Sequence, residues 1–256
     1  MHLFLAPHFD DVALFCGGEV ARQVAAGEQV AIVTVFAGTP PAEMPLTPYA
    51  QWHLTAWGVA SVAEALASRR AEDEAAAMAL GAALVMLPFV DGAFREGRYR
   101  SWDELRTHLA PADALLPAAI ASALMSRALI GPETVVTGPL AIGRHVDHQA
   151  VWAAMRLIAA QGVRVRGYED YPYAADAEEY RARMAAPDLV GASPEVINIA
   201  TWLNTKVRAI GCYPSQLSLL FPDVPMPEAV RAYGNLVAGG TGIAERFWWL
   251  DGESKE

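Results

Sequence analysis

Two clusters of histidine and aspartate stand out, because their side chains are of the kind that hold a transition metal. The first comprises His8, Asp10 and Asp11, directly after the apolar run of residues 1–6. A short apolar run that ends in proline and polar residues predicts a buried strand whose carboxyl end delivers these groups to a site. Imidazole nitrogen and carboxylate oxygen are ligands that zinc accepts. This cluster alone is also compatible with an Asx turn in which His8 is a hydrogen-bonded core residue.

The second cluster comprises His145, Asp147 and His148, after another apolar run at residues 134–137. Strand ends of a parallel sheet can be distant in sequence and adjacent in space. The two clusters therefore predict one metal site of the His-Asp-His type. Asp147 is open to two interpretations: it orients or charges His145, or it is the N-cap of a helix predicted at residues 149–161. The histidines elsewhere, such as His53, are interpreted as structural or surface residues.

Composition limits the classes of protein to which the chain can belong. Its 256 residues are 54% hydrophobic and 19% charged, with a formal net charge of −10. These values predict one large domain with a full core, and they exclude extensive disorder. The negative charge argues against nucleic acid or an anionic membrane surface as the main partner.

The sequence also predicts a reducing, cytoplasmic location. We identify no signal peptide, and two cysteines, Cys16 and Cys212, make neither a disulfide framework nor a cysteine zinc site. The apolar stretch 112–131 is interrupted by Pro117 and Arg127, which favours a buried helix or helix pair over membrane insertion.

The order of predicted elements indicates the fold. Strands alternate with helices up to Tyr168, which is typical of an α/β, Rossmann-like three-layer sandwich with a mainly parallel sheet. We expect a single domain with a core at about residues 1–170 and a C-terminal cap at about 171–250. We expect the aromatic run 247–250 to lie in the core or in a contact between subunits, and the second case would make the protein a homo-oligomer. Residues 251–256 are expected to form a frayed C-terminal tail. The predicted strands are 1–6, 30–36, 83–87, 135–136, 163–168 and the edge strand 196–199; the predicted helices are 14–27, 52–80, most of 101–131, 149–161, 175–185 and 202–212.

Several motifs together resemble the LmbE-like, or PIG-L, zinc-dependent deacetylases. They are Pro7-His8-Phe9-Asp10-Asp11, Cys16-Gly17-Gly18 and His145-Val146-Asp147-His148, supported by Arg69-Arg70-Ala71-Glu72, by residues 168–173 and by the stretch from Lys206 to Gln216. That family includes the N-acetylglucosaminyl-phosphatidylinositol de-N-acetylases and the mycothiol and bacillithiol deacetylases. The chain departs from the commonest pattern at Val12, Phe9 and Val146, and none of these departures removes a ligand.

The resemblance implies a role for each matching residue. His8, Asp11 and His148 would bind Zn²⁺, and Asp10 would be the general base. His145 would be the protonated partner of the oxyanion, with Asp147 beside it as part of the catalytic group. Arg69 and Asp91 would contact sugar hydroxyls; a helix-surface charge and a turn acid are the alternatives for these two.

Elementary chemistry supports the same roles. Three protein ligands leave zinc a position for water, whose pKa falls from about 15.7 to about 7. Asp10 cannot easily bind the same ion as its neighbour Asp11, yet it can take the proton of that water. Iron or cobalt would suit the donor set nearly as well as zinc.

The predicted function is hydrolysis of an N-acetyl group on an amino sugar or its small-molecule conjugate. One alternative is an amidase that acts on a thiol-sugar conjugate, and another is a sugar-binding protein with a relic metal site. A nucleotide-binding oxidoreductase is disfavoured because the sequence contains no Gly-x-Gly-x-x-Gly motif.

Overall fold

A seven-stranded sheet forms the centre of the computed structural model, which describes residues 1–127 and 129–250. In chain order the strands are β1 (His2–Ala6), β2 (Val30–Thr34), β3 (Ala83–Met86), β4 (Val135–Pro139), β5 (Arg164–Tyr168), β6 (Ser193–Asn198) and β7 (Ala244–Trp249). Their spatial order in the sheet is β3-β2-β1-β4-β5-β7-β6. Strands β1 to β5 pair in parallel, whereas β7 is antiparallel to both β5 and β6. The prediction of a mainly parallel α/β sheet is confirmed.

Helices connect and cover these strands. In the described residues the α-helices are α1 (Asp11–Ala25), α2 (Pro48–Ala56), α3 (Val62–Leu80), α4 (Trp102–Leu105), α5 (Leu116–Ser126), α6 (Val146–Ala159), α7 (Ala177–Met184), α8 (Leu203–Ile210), α9 (Pro214–Leu220) and α10 (Met226–Val237). No helix among them is both long enough and apolar enough to cross a membrane.

Apolar side chains of the sheet pack on both of its faces. On β1, Phe4 belongs to a core that includes residues of α1, α3 and α8, whereas Leu3 and Leu5 belong to a second core with α5 and α6. Successive side chains of a strand point to opposite faces, so a strand with a core on each side must be apolar at nearly every position. The result is the three-layer arrangement that the alternation of elements predicts.

The chain order of the strands reverses direction beside β1. The chain proceeds from β1 outward to β2 and β3, then returns to form β4 on the other side of β1. His2 of β1 is in register with both Val30 of β2 and Val135 of β4. Such a switch point leaves a crevice at the carboxyl ends of the two central strands, where α/β proteins bind ligands. The two histidine clusters follow β1 and β4, so the topology brings them to this crevice.

Two predicted helices are wrong in extent. Residues 52–80 form α2 and α3 rather than one helix, because Gly58 adopts φ +69° and the Ser61 hydroxyl caps α3 by accepting the N–H of Glu64. Within residues 101–131 the structure has the four-residue α4, a 3₁₀ turn and α5. Ser101 caps α4 by accepting the N–H of Glu104.

The region after Tyr168 completes the sheet as well as covering it. The aromatic run 247–250 was expected to be core or a subunit contact, and the structure places Phe247, Trp248 and Trp249 in β7, between β5 and β6. Strand β6 is the predicted edge strand, three residues longer at its start than expected. Helices α9 and α10 were not predicted, and the expectation for residues 251–256 lies outside the described residues.

Candidate active site

Three ligand atoms converge where β1 and β4 end. His8 Nδ1 lies 3.6 Å from Asp11 Oδ2 and 3.4 Å from His148 Nε2. Asp11 Oδ2 and His148 Nε2 are 3.4 Å apart. His8 follows β1, Asp11 is the first residue of α1, and His148 lies in the first turn of α6. These are the three residues that the sequence analysis assigned to the metal, and the fold brings them together.

The far side of the His8 ring is held by Asp147. His8 Nε2 lies 3.1 Å from Asp147 Oδ2, which also accepts the Gly92 N–H at 2.8 Å, and Arg95 donates to the other oxygen at 2.8 Å. Asp147 is fully buried. Asp147 is not the N-cap of α6, because His145 occupies that position, and this corrects one of the two interpretations. Its negative charge does favour protonation of His145, although burial outweighs it. Its contact with His8 is of the kind by which carboxylates orient metal-bound histidines.

The far side of the His148 ring is held in the same way by Asp170. His148 Nδ1 lies 2.6 Å from Asp170 Oδ1, and the second oxygen accepts the Ile142 N–H at 3.1 Å. Asp170 is fully buried and follows β5 by two residues. It was not among the predicted site residues; its position just after a predicted parallel strand is the signal that could have found it.

These two carboxylates determine which ring nitrogens carry protons. When the ring N–H of His8 points at Asp147 and that of His148 points at Asp170, two imidazole lone pairs and one carboxylate oxygen face one another. A cation placed between these atoms would receive an electron pair from each of them. Ligand atoms around tetrahedral zinc, at about 2.0–2.1 Å, are about 3.3–3.4 Å apart, close to the separations here. The residues present therefore fit a divalent transition metal.

Two other groups bring ligand atoms within 4.8 Å of one another, namely His8 with His145 and His148, and His8 with Asp91 and Asp147. Both are less suited to a metal. The charge of Asp147 is already paired with that of Arg95, whereas the bond that Asp11 Oδ2 accepts comes from an uncharged group, the backbone N–H of His8 at 2.7 Å. His145 Nδ1 already accepts the backbone N–H of Asp147.

Proton affinities of the metal-free site reflect the same excess of negative charge. Burial opposes protonation of His8, but Asp91, Asp147 and Asp11 outweigh it and raise the pKa of His8 to about 9. Burial raises the pKa of Asp11 to about 6, in spite of its histidine neighbours. Protons thus compete with a metal for these atoms, and binding a metal must displace them.

Asp10 lies beside the ligands without being one of them. It is buried, it lines the cleft, and its Oδ1 accepts a bond from Arg69 Nη2 at 3.2 Å. The Arg69 guanidinium is itself held between two aromatic rings, 5.2 Å from the centre of Phe9 and 5.1 Å from that of Trp57. Arg69 is therefore part of the wall of the site and not a surface charge.

His145 begins the helix that carries His148. Its Nδ1 accepts the backbone N–H of Asp147 at 3.2 Å and so serves as the N-cap of α6, which starts three residues earlier than predicted. Burial and the nearby His8 lower the pKa of His145 well below its usual value. This lowered pKa works against the expectation of a protonated His145. In the neutral form of the ring, with Nδ1 as the acceptor, the proton lies on Nε2.

The site opens into a cleft of about 130 Å³ that is lined by many aromatic side chains. Asp91 lines it, with one oxygen accepting the Ala93 N–H and the other 3.7 Å from His8 Nε2. His53 also lines the cleft, and burial lowers its pKa to about 4. The aromatic lining residues are Phe15, Tyr49, Trp57, Trp102, Tyr171 and Tyr173.

One wall of the cleft is supported by α3. Glu72 accepts both the backbone N–H and the hydroxyl of Ser215, at 2.9 and 2.6 Å, and Gln216 donates to that hydroxyl at 2.8 Å. Asp73 accepts bonds from Tyr213 at 2.7 Å and Thr34 at 2.6 Å. Gln216 lines the cleft and is held there by its bond to Ser215.

Solved structures of similar proteins share this fold. A deacetylase of the teicoplanin biosynthesis pathway superposes with a TM-score of 0.82 at 30% sequence identity, and covers 97% of this chain and 96% of its own. A zinc-inhibited form of teicoplanin deacetylase gives a TM-score of 0.81 at 29% identity, with 97% of both chains covered.

The sequence comparisons point the same way. A 2′-N-acetylparomamine deacetylase of Streptomyces fradiae is 28% identical over 221 residues, which cover 84% of this chain and 72% of that protein. The 2′-N-acetylparomamine deacetylase of Niallia circulans is 29% identical, with 96% of this chain and 89% of that protein covered. Residues 3–159 match the model of the family described as PIG-L, GlcNAc-PI de-N-acetylase. Since this match spans more than half of the chain, the protein belongs to the PIG-L family of de-N-acetylases.

Proposed function

We propose that this protein is a zinc-dependent hydrolase that removes an N-acetyl group from an amino sugar or an amino-sugar conjugate. The observation that carries the proposal is the pairing of each candidate histidine ligand with a buried carboxylate, while the other nitrogen of each ring faces the Asp11 carboxylate. Carboxylates orient metal-bound histidines in this way, and a metal that binds here displaces the protons that otherwise occupy these atoms.

His8, Asp11 and His148 would hold the ion. When bound, zinc supplies a Lewis acid that polarises the amide carbonyl and lowers the pKa of water to about 7. Other divalent transition metals accept the same two nitrogens and one carboxylate, so the identity of the metal is part of the proposal.

Asp10 is assigned as the general base. Arg69 donates to Oδ1, which fixes the carboxylate and leaves Oδ2 to accept the proton of the attacking water. Asp10 then returns that proton to the nitrogen of the collapsing amide, so that acetate and a free amine are released. General acid–base catalysis of this kind contributes about 10²–10⁴-fold.

His145 is assigned to the carbonyl oxygen. Its ring is fixed by the backbone N–H of Asp147, and the proton on Nε2 can be donated to the oxygen as negative charge develops there. A fixed donor of this type contributes about 2.7–4 kcal/mol to transition-state stabilisation. A neutral donor suffices, so the low proton affinity of His145 is compatible with this role.

The aromatic walls suit a sugar ring. Trp102, whose side chain is 39% exposed, and Tyr173 lie on one side of the cleft with their ring centres 6.3 Å apart and nearly parallel. Arg106 lies 5.6 Å from both rings and restrains them. Apolar faces of a sugar can pack on such rings, while Arg69 and Asp91 are the side chains we assign to its hydroxyl groups. Two relatives are named as 2′-N-acetylparomamine deacetylases, which supports an N-acetylated amino sugar as the substrate class.

The test is acetate release from N-acetylated sugars of increasing size, namely N-acetylglucosamine, 2′-N-acetylparomamine and a teicoplanin-type pseudoaglycone. One preparation is assayed before chelation, after chelation, and after zinc is returned in small steps, because a relative has a zinc-inhibited form. We expect release that disappears with the metal and returns with stoichiometric zinc. Protein that binds no divalent metal, or release that survives chelation, would refute the proposal.

A further inference from the structure

Helix α1, which begins with Asp11, is broken after its first turn. Cys16 has φ −141° and ψ 21°, outside the helical region, so the element consists of a short segment, residues 11–15, and a longer one that runs to Ala25. A break in a helix frees the carbonyl groups that precede it and the N–H groups that follow it. In a buried helix these groups need other partners.

A buried ion pair from the C-terminal part of the chain supplies those partners. The Glu245 carboxylate accepts the Gly18 N–H at 2.9 Å and the Glu19 N–H at 2.7 Å. Lys206 Nζ donates to Glu245 at 2.7 Å and lies 3.5 Å from the carbonyl oxygen of Phe15, before the break. Glu245 and Lys206 are each only 5% exposed. One carboxylate and one ammonium group thus bind both sides of the interruption.

Gly18 makes this contact possible. A Cβ atom there would lie 2.7 Å from Ile199 and 2.9 Å from Glu245 Oε1, so no larger residue fits beside the carboxylate. At the neighbouring Gly17 a Cβ atom would lie 3.4 Å from its nearest neighbour, so the close approach is at Gly18.

We propose that the Lys206–Glu245 pair positions the short segment that carries Asp11, and so sets the geometry of the metal site from behind α1. Residues 11–15 hold the ligand Asp11 at one end and Phe15, which lines the cleft, at the other. Without Glu245, the N–H groups of Gly18 and Glu19 would seek the carbonyls four residues earlier, and α1 would straighten. The direction of the first turn, and with it Asp11 Oδ2, would change. Both are positioning residues, and the inference rests on the proposed function in that the site binds zinc.

The test compares Glu245→Gln and Lys206→Met with the wild type. Zinc affinity is measured by competition with a chromogenic chelator, which needs no substrate, and thermal stability is measured on the same samples. We expect zinc affinity to fall about 10–100-fold, the range found when residues that orient metal ligands are replaced. Lys206→Arg, which keeps the charge and donors, should recover most of the loss.

The matched control is Arg166→Met, which removes another buried charge, on β5, that also contacts α1. Arg166 binds Glu19 at 2.8 Å, beyond the break, and does not contact Glu245 or Phe15 among the described residues. It should lower thermal stability and leave zinc affinity unchanged. If Glu245→Gln and Lys206→Met lose only stability, as the control does, the pair is structural and the inference is overturned.

If the wild type binds no zinc, the proposed function is refuted, and a second measurement is needed to test the inference. Crystal structures of metal-free wild type and Glu245→Gln then decide the inference on geometry alone. A displaced Asp11 carboxylate supports it. An unchanged 3.4 Å separation between Asp11 Oδ2 and His148 Nε2 overturns it.

Discussion

Replacing Asp170 with asparagine tests the assignment of His148 as a metal ligand. The carboxylate accepts two bonds, from the His148 ring at 2.6 Å and from the Ile142 N–H at 3.1 Å, and it is fully buried. Asparagine has the same shape but only one acceptor oxygen. One of the two partners must then face an NH₂ group.

Both orientations of the new amide weaken metal binding. If its oxygen faces His148, the Ile142 N–H is buried without an acceptor, which costs about 1–3 kcal/mol of folding free energy. The negative charge of Asp170, which supports His148 as a ligand, is also lost. If its NH₂ faces His148, Nδ1 must be the acceptor, so the ring proton moves to Nε2, the atom that faces the metal. We expect zinc affinity to fall about 10–100-fold, or about 1.4–2.7 kcal/mol.

Competition with a chromogenic chelator measures this change, and the neighbouring Glu169 provides the control. Glu169 is equally buried and accepts bonds from Tyr233 at 2.9 Å and Trp248 at 3.1 Å, away from the ligands. Glu169→Gln should lower thermal stability without affecting zinc. Wild-type zinc affinity in Asp170→Asn would refute the reasoning, as would equal losses in both variants.

Three further predictions follow from the site. Asp10→Asn should bind zinc normally but lose about 10²–10⁴-fold in kcat, because an amide cannot take the proton of water; a zinc-loaded variant with normal turnover would contradict the base assignment. Trp102→Ala should raise KM for the N-acetylated sugar with kcat little changed, and Trp102→Phe should recover most of the loss; steady-state kinetics that show a fall in kcat alone would argue against a platform. Burial raises the pKa of Asp73 from 3.8 to about 7. The folded state therefore holds this proton more tightly than the unfolded chain does. The free energy of unfolding should decline as the pH rises from 3.8 to about 7, and Asp73 contributes at most about 1.4 kcal/mol per pH unit to this decline. Asp73→Asn should flatten that decline in urea melts, and parallel curves for the two proteins would contradict it.

The sequence by itself determined the layers of the fold and the kind of chemistry. Alternating apolar strands and helices predict a parallel sheet, and polar residues at two strand ends predict where its site lies. Both signals are local, since a strand buried on two faces must be apolar and a ligand must follow the end of its strand. Helix α10 and strand β7 escaped this reasoning because a pattern of apolar residues does not reveal which sheet position a late segment fills.

Only the tertiary structure decided how the site residues act on one another. Asp147 is adjacent to His148 in sequence, yet its carboxylate binds His8, 139 residues away. Asp170 holds His148 across 22 residues, and Glu245 completes α1 across 227. Burial and the nearby His8 lower the pKa of His145 although a carboxylate lies two residues away. Residue types predict which atoms can bind a metal, whereas proton positions and ligand orientation depend on partners that come together only when the chain has folded.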